Sequence, residues 1–101
     1  NEPAIARRLA ELLDLARAGR LSPSDFAYVR AGFFPGAAQR YATLLGRLGA
    51  PTRTQLVERS RLGDDRVSVF EVSFPEATYY VRLALAPDNR VSAFSMSRKT
   101  D

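Results

Sequence analysis

One acid and two phenols are the groups in this sequence that could meet and do chemistry. Residues 53–62 alternate as a β-strand does, and pairing them with the next run through Leu62 and Arg66 puts Thr54, Leu56, Glu58 and Ser60 on the side that packs, with Arg53, Gln55, Arg59 and Arg61 outside. Glu58 is the odd residue in that packed row. A carboxylate aimed inward near Phe70 either finds an arginine or hydroxyl partner or marks the mouth of a pocket. Tyr41 and Tyr79 could line the same opening, where an acid and phenols orient a small ligand or serve as base and electrophile. Against this stands a plainer reading, Glu58 solvated at a strand end, and no second residue at motif spacing supports catalysis. No catalytic residue is therefore assigned, and Glu58, Tyr41, Phe70 and Tyr79 stand as pocket-lining candidates.

The rest of the inventory narrows the chemistry further. The 101 residues include neither Cys nor His, which removes thiol nucleophiles, imidazole bases, serine–histidine triads and nearly every zinc site. No metal and no cofactor is expected. Ser22 and Ser24 have no base to activate them and read as helix-cap residues. Fifteen basic residues face eleven acidic ones for a net charge of +4, and fourteen of the fifteen are Arg. Such an excess can mark a nucleic-acid surface. Here the arginines scatter over the whole chain, and Arg in place of Lys is what a GC-rich genome produces, so nucleic acid is not the expected partner. No apolar run approaches the roughly 20 residues of a membrane span, and no signal peptide is visible. The length fits a single domain over residues 1–101, and a start at Asn1 instead of Met suggests a piece of a longer protein.

Three helices and four strands would have to position these groups. Ile5, Leu9, Leu12, Leu13 and Ala16 recur at helical spacing within residues 3–18, ended by Gly19. Ser22 as N-cap, Pro23 at the first helical position and Asp25 at the third predict a short second helix over 23–30, with Leu21 and Phe26 as a hydrophobic staple. A third helix is predicted over 35–48 from the stripe Phe34, Ala38, Tyr41, Leu45 and Leu48, closed by Gly49 and Pro51. Strands follow near 53–62, 66–74, 78–86 and 90–97, rich in Val, Phe and Tyr and broken at Pro75-Glu76 and Pro87-Asp88-Asn89.

The strand registers can be tested by asking which one sets apolar residues opposite apolar ones. A two- or four-residue loop at Pro75-Glu76 places Ser68, Phe70, Val72 and Phe74 on one face with Tyr79, Val81, Leu83 and Leu85, the face to be covered by helices. A three-residue loop Pro87-Asp88-Asn89, with Asn89 left-handed, brings Val91 opposite Leu85 and Ala93 opposite Leu83. Phe94 and Met96 then fall on the other face with Tyr80, Val67 and Val69, and Glu71 can pair across strands with Arg82. A sheet face this apolar calls for a partner. Val67, Val69, Tyr80, Arg82, Phe94 and Met96 are the interface candidates, for a second copy or a neighbouring domain.

Phe33-Phe34-Pro35, the segment Leu45-Gly46-Arg47-Leu48-Gly49-Ala50-Pro51, the strand Val69-Phe70-Glu71-Val72-Ser73-Phe74-Pro75 and the turn Ala86-Pro87-Asp88-Asn89-Arg90 carry a family resemblance. Together they resemble the small NTF2-like (cystatin-like cone) domain appended to exported serine hydrolases of the β-lactamase and penicillin-binding type. The likeness runs over about residues 8–97. Asn89 and Arg90 depart from the Gly-Lys of that group's last turn but keep its physics. The resemblance implies an α+β fold with three N-terminal helices on one face of a curved four-stranded antiparallel meander. It also implies a secreted or periplasmic, non-catalytic accessory domain that packs on the catalytic domain of the same chain, or on a second copy as a homodimer, through its outer sheet face. A small or extended ligand could occupy the cone. No catalytic residue carries over. The alternative from a different class is a free-standing small-molecule binder, or an enzyme resembling ketosteroid isomerase, that uses Glu58 and a tyrosine.

Overall fold

Apolar spacing and turn chemistry set the order of elements. The computed structural model describes residues 2–29 and 31–100. Helix α1 (Glu2–Arg17) buries the predicted stripe: Leu9, Leu12, Leu13 and Ala16 are at most 2% exposed and Ile5 is 8% exposed. Its end is fixed by Gly19 at φ 71°, which lets the Gly19 N–H reach Ala16 O and the Arg20 N–H reach Leu15 O.

The expected second helix is a single 3-10 turn, Pro23–Asp25. The capping box forms as the sequence indicates, with the Ser24 N–H donating to Ser22 Oγ and the Ser22 N–H donating to Asp25 Oδ2 at 3.1 Å. Propagation then fails because Phe26 is extended (φ −113°, ψ 137°) and joins the sheet instead. Phe26 forms a parallel bridge to Val91, and the Ala27 N–H donates to Val91 O at 2.7 Å. The predicted end of that helix, Arg30, lies outside the described residues. The third predicted helix begins with an irregular turn, Phe33–Ala37, containing an extended Phe34. Regular helix α2 occupies Ala38–Leu48 and buries Leu45 completely. The fold is thus α+β with two α-helices, not three.

Strands β1 (Arg53–Leu62), β2 (Asp65–Ser73), β3 (Thr78–Leu85) and β4 (Val91–Arg98) form one antiparallel sheet in sequence order. Phe70 opposes Val81 and Val72 opposes Tyr79, so the second hairpin has the four-residue loop that the alternation demands. Both helices lie against that face. Leu9, Leu12, Leu13 and Leu45 share one core with Phe70, Val72, Val81 and Leu83, and burial of each such side chain stabilises the fold by about 1.5–3 kcal/mol.

Two β-bulges overturn parts of the expected registers. In β4 the three-residue loop is present, with Asn89 at φ 68° and Val91 opposite Leu85, but Ser92 is extra and Ala93 opposes Ala84. Leu83 therefore faces Phe94 and Val81 faces Met96, which puts both residues under the helices and not on the outer face. In β1 the turn has two residues, with Gly63 at φ 61° where a tight hairpin needs a positive φ, and Leu62 pairs with Asp65. Leu56 opposes Phe70 and Glu58 opposes Val69, with Val57 extra between them. Thr54 and Leu56 face the helices as expected. Glu58 and Ser60 instead face outward, and Arg59 and Arg61 turn to the helix side.

Candidate functional site

The bulge at Val57 separates the acid from the phenols. Glu58 is exposed on the uncovered face, whereas Phe70 is 1% exposed in the core beneath the helices. Tyr41 stands on α2, its ring 5.1 Å from Phe94 at 80° and 6.2 Å from Phe33. Tyr79 packs edge-on to Phe74 at 6.1 Å. These four residues do not converge on one opening.

The space they would have lined is occupied. Leu9, Leu12, Leu45, Phe70 and Leu83 fill it to 2% exposure or less, and the gap among Leu12, Leu21, Phe26, Val91 and Phe94 has no room for a water molecule. Aromatic packing closes the open end: Phe26, Phe33 and Phe34 lie with ring centres 5.0–5.6 Å apart, and Phe33 hands the chain of contacts to Tyr41 and so to Phe94. Among the described residues no group of three or more acids could hold a metal ion, and no helix is long and apolar enough to cross a membrane.

The uncovered face of the sheet has a different make-up. Val67, Ala84 and Ala93 form one cross-strand row, Val69 and Arg82 a second, and Glu71, Tyr80 and Ser97 a third. Val67 and Ala84 are 3% exposed yet stand outside the core cluster, and Val69 and Tyr80 are half-buried. Glu71 accepts from Lys99 Nζ at 3.0 Å, the place the sequence suggested for Arg82. Exposed Glu58, Ser60 and Ser95 flank these rows, and exposed Arg82 stands within them, between Tyr80 and Ala84. Of the six interface candidates, Val67, Val69, Tyr80 and Arg82 lie on this face, while Phe94 and Met96 do not.

Several concave surfaces were not anticipated, among them a hollow of about 320 Å³ between α1 and the start of β1 at Pro51 and Thr54. Another, of about 220 Å³, lies along β4 where Phe26, Tyr28 and Phe33 meet Ser92 and Ser95. A third, of about 310 Å³, lies between the start of α1 and the β1–β2 hairpin and is walled by Arg59, Arg61 and Arg66. The third arises because the one-residue bulge in β1 turns Arg59 and Arg61, two of the three arginines of that strand, to the side of Arg66, and nothing in the sequence marks that bulge. The chain matches no family model, no curated protein and no solved structure.

Proposed function

We propose that this chain is a non-catalytic interaction domain that docks through the uncovered face of its sheet. The observation that carries this reading is the contrast between the two faces. The core beneath the helices is filled, with no room for a water molecule among Leu12, Leu21, Phe26, Val91 and Phe94, while the other side presents half-buried Val69 and Tyr80 beside exposed Arg82, with Val67 and Ala84 beneath them at 3% exposure. Tyrosine and arginine beside an aliphatic side chain are enriched at protein interfaces. The motifs around Phe33-Phe34-Pro35, Leu48-Gly49-Ala50-Pro51 and Pro87-Asp88-Asn89 support a finer reading. They suggest an NTF2-like accessory domain of an exported serine hydrolase related to β-lactamases, with the catalytic domain of the same polypeptide as partner and a second copy as the alternative.

The test is the reading frame that encodes residues 1–101 together with the surface itself. A Ser-x-x-Lys domain encoded upstream, which binds this chain in trans and loses it on Tyr80→Arg, is the expected outcome. Binding untouched by Tyr80→Arg would remove the sheet face from the interface. An upstream sequence without hydrolase motifs would remove the hydrolase.

A further inference from the structure

The β1–β2 hairpin holds an arrangement that stability alone does not favour. Arg61 and Arg66 are direct cross-strand partners, and Arg59 is two residues along on the same face, opposite Ser68. Like charges placed directly opposite each other on a sheet repel. The usual remedy is a carboxylate between them. None is in place here: among the described residues Arg59 and Arg61 make no hydrogen bond or ion pair, and Arg66 donates only to the neutral oxygens of Ala86 and Asn89. Scattered edge charges would suffice to discourage strand-to-strand aggregation, and that role does not require three guanidiniums around one concavity.

The concavity itself is the second observation. It measures about 310 Å³, and Ile5 from the first turns of α1, buried Ser68, and Ser60 and Val67 from around the strand edge contribute to its wall beside the three arginines. Ile5 and Arg66 also border a neighbouring hollow of about 200 Å³ that includes Arg7 and Arg8, of which, among the described residues, only Arg8 has a carboxylate partner, Glu11. Guanidinium groups are planar forks that match the oxygens of phosphate and carboxylate. A single carboxylate would neutralise one of the three charges. A phosphate monoester carries about −1.5 to −2 near neutral pH and presents three acceptor oxygens.

We infer that the cleft formed by Arg59, Arg61 and Arg66 against the start of α1 is a binding site for a phosphoryl group. The chemistry is shared by small phosphorylated molecules and by a phosphomonoester lipid headgroup. Ser60 and Val67 at its rim belong to the uncovered face of the sheet, and the site requires no hydrolase partner.

Amide NMR and thermal unfolding of the chain, titrated with inorganic phosphate, with glycerol phosphate and with acetate, test the inference. Expected are saturable shifts confined to Ile5, Arg59, Ser60, Arg61, Arg66, Val67 and Ser68, weakened by added salt, with acetate at least about ten-fold weaker. At ten times the dissociation constant Tm should rise by about 6–11 °C. Arg61→Gln should weaken phosphate binding about ten-fold or more. Because it relieves the facing pair, it should leave the unliganded Tm unchanged or raised, which a merely structural arginine would not do. Arg61→Lys, which keeps the charge and loses the fork, should fall between.

Vesicles of phosphatidylcholine with and without phosphatidic acid separate the two sources. Binding that requires phosphatidic acid and is lost in Arg61→Gln assigns the site to a headgroup, and phosphate binding without vesicle binding assigns it to a small molecule. Shifts spread equally over Arg20, Arg47 and Arg53, absence of saturation, or full retention of binding in Arg61→Gln would overturn the inference.

Discussion

Phe94 tests the architecture most directly, because the bulge at Ser92 moves its ring from one side of the sheet to the other. In the structure it opposes Leu83 on the helix side and meets Tyr41 edge-on at 5.1 Å. Truncation of a fully buried Phe to Ala costs about 3–5 kcal/mol. Phe94 is only partly buried, which reduces the transfer share to about 2 kcal/mol, and loss of the ring pair adds about 0.5–1.5 kcal/mol. Phe94→Ala should therefore destabilise the fold by ~3 kcal/mol, a large part of the roughly 5–15 kcal/mol that holds a domain of this kind. By urea denaturation the midpoint should fall by about 1–3 M at unchanged slope, and Tm should fall by about 12–24 °C. Tyr80→Ala, on the uncovered face, is the matched control and should cost less than about 1 kcal/mol. Without the bulge the two residues would share a face and the costs would be similar. Equal losses, or a Phe94→Ala cost below about 1 kcal/mol, would refute the register assigned to β4.

Two further expectations concern single turns. The side-chain bond from Arg90, at 2.8 Å to Asp88 Oδ2, with its backbone N–H adding a second, holds the Asp88 carboxyl below its ordinary value of 3.8. A lowered folded-state value stabilises the turn above the unfolded value and loses that contribution as pH falls below about 4. Carboxyl NMR titration should place Asp88 below 3.8 and Arg90→Gln should move it back up, whereas an unshifted Asp88 would show that the Arg90 contact is not populated. Gly46 sits on the exposed side of α2, and a Cβ added there meets nothing within 4 Å. Gly46→Ala should thus stabilise by about 0.5–1 kcal/mol, read as a Tm rise of about 2–8 °C, and a fall would mean that α2 needs the glycine for a reason beyond helix propensity.

The legible parts of this fold were those fixed by local chemistry. The α1 stripe from Ile5 to Ala16 and the β2–β3 register follow from apolar spacing, since any other arrangement would bury Arg82. Asn89 in the left-handed region follows from the turn. The capping box at Ser22 was also readable, yet it says only where a helix can begin. Whether it continues depends on Phe26, which gains more from the aromatic group of Phe33 and Phe34 and from its bridge to Val91 than from another helical turn. That competition is tertiary and leaves no mark at residues 22–25. The placing of Glu58, Phe94 and Met96 was illegible for a related reason. Alternation fixes faces only as far as the next bulge, and neither Val57 nor Ser92 advertises itself as one.

The two bulges do opposite things with the same geometry. At Ser92 the extra residue costs a hydroxyl shut away without a partner, and it swings Phe94 and Met96 inward to complete the packing against Tyr41 and Val81. Apolar burial explains that exchange on its own. At Val57 no such explanation works: the extra residue is 47% exposed, and it exchanges Glu58 and Ser60 for Arg59 and Arg61 on the helix side. A regular strand continuing from Leu56 would have presented an acid and a hydroxyl toward Arg66, an arrangement favourable to folding. The bulged strand presents two more arginines instead. β1 is an edge strand, where a bulge and charged side chains also discourage the addition of a foreign strand, and an anionic ligand in the cleft beside Arg66 would in addition offset the repulsion of the facing arginines.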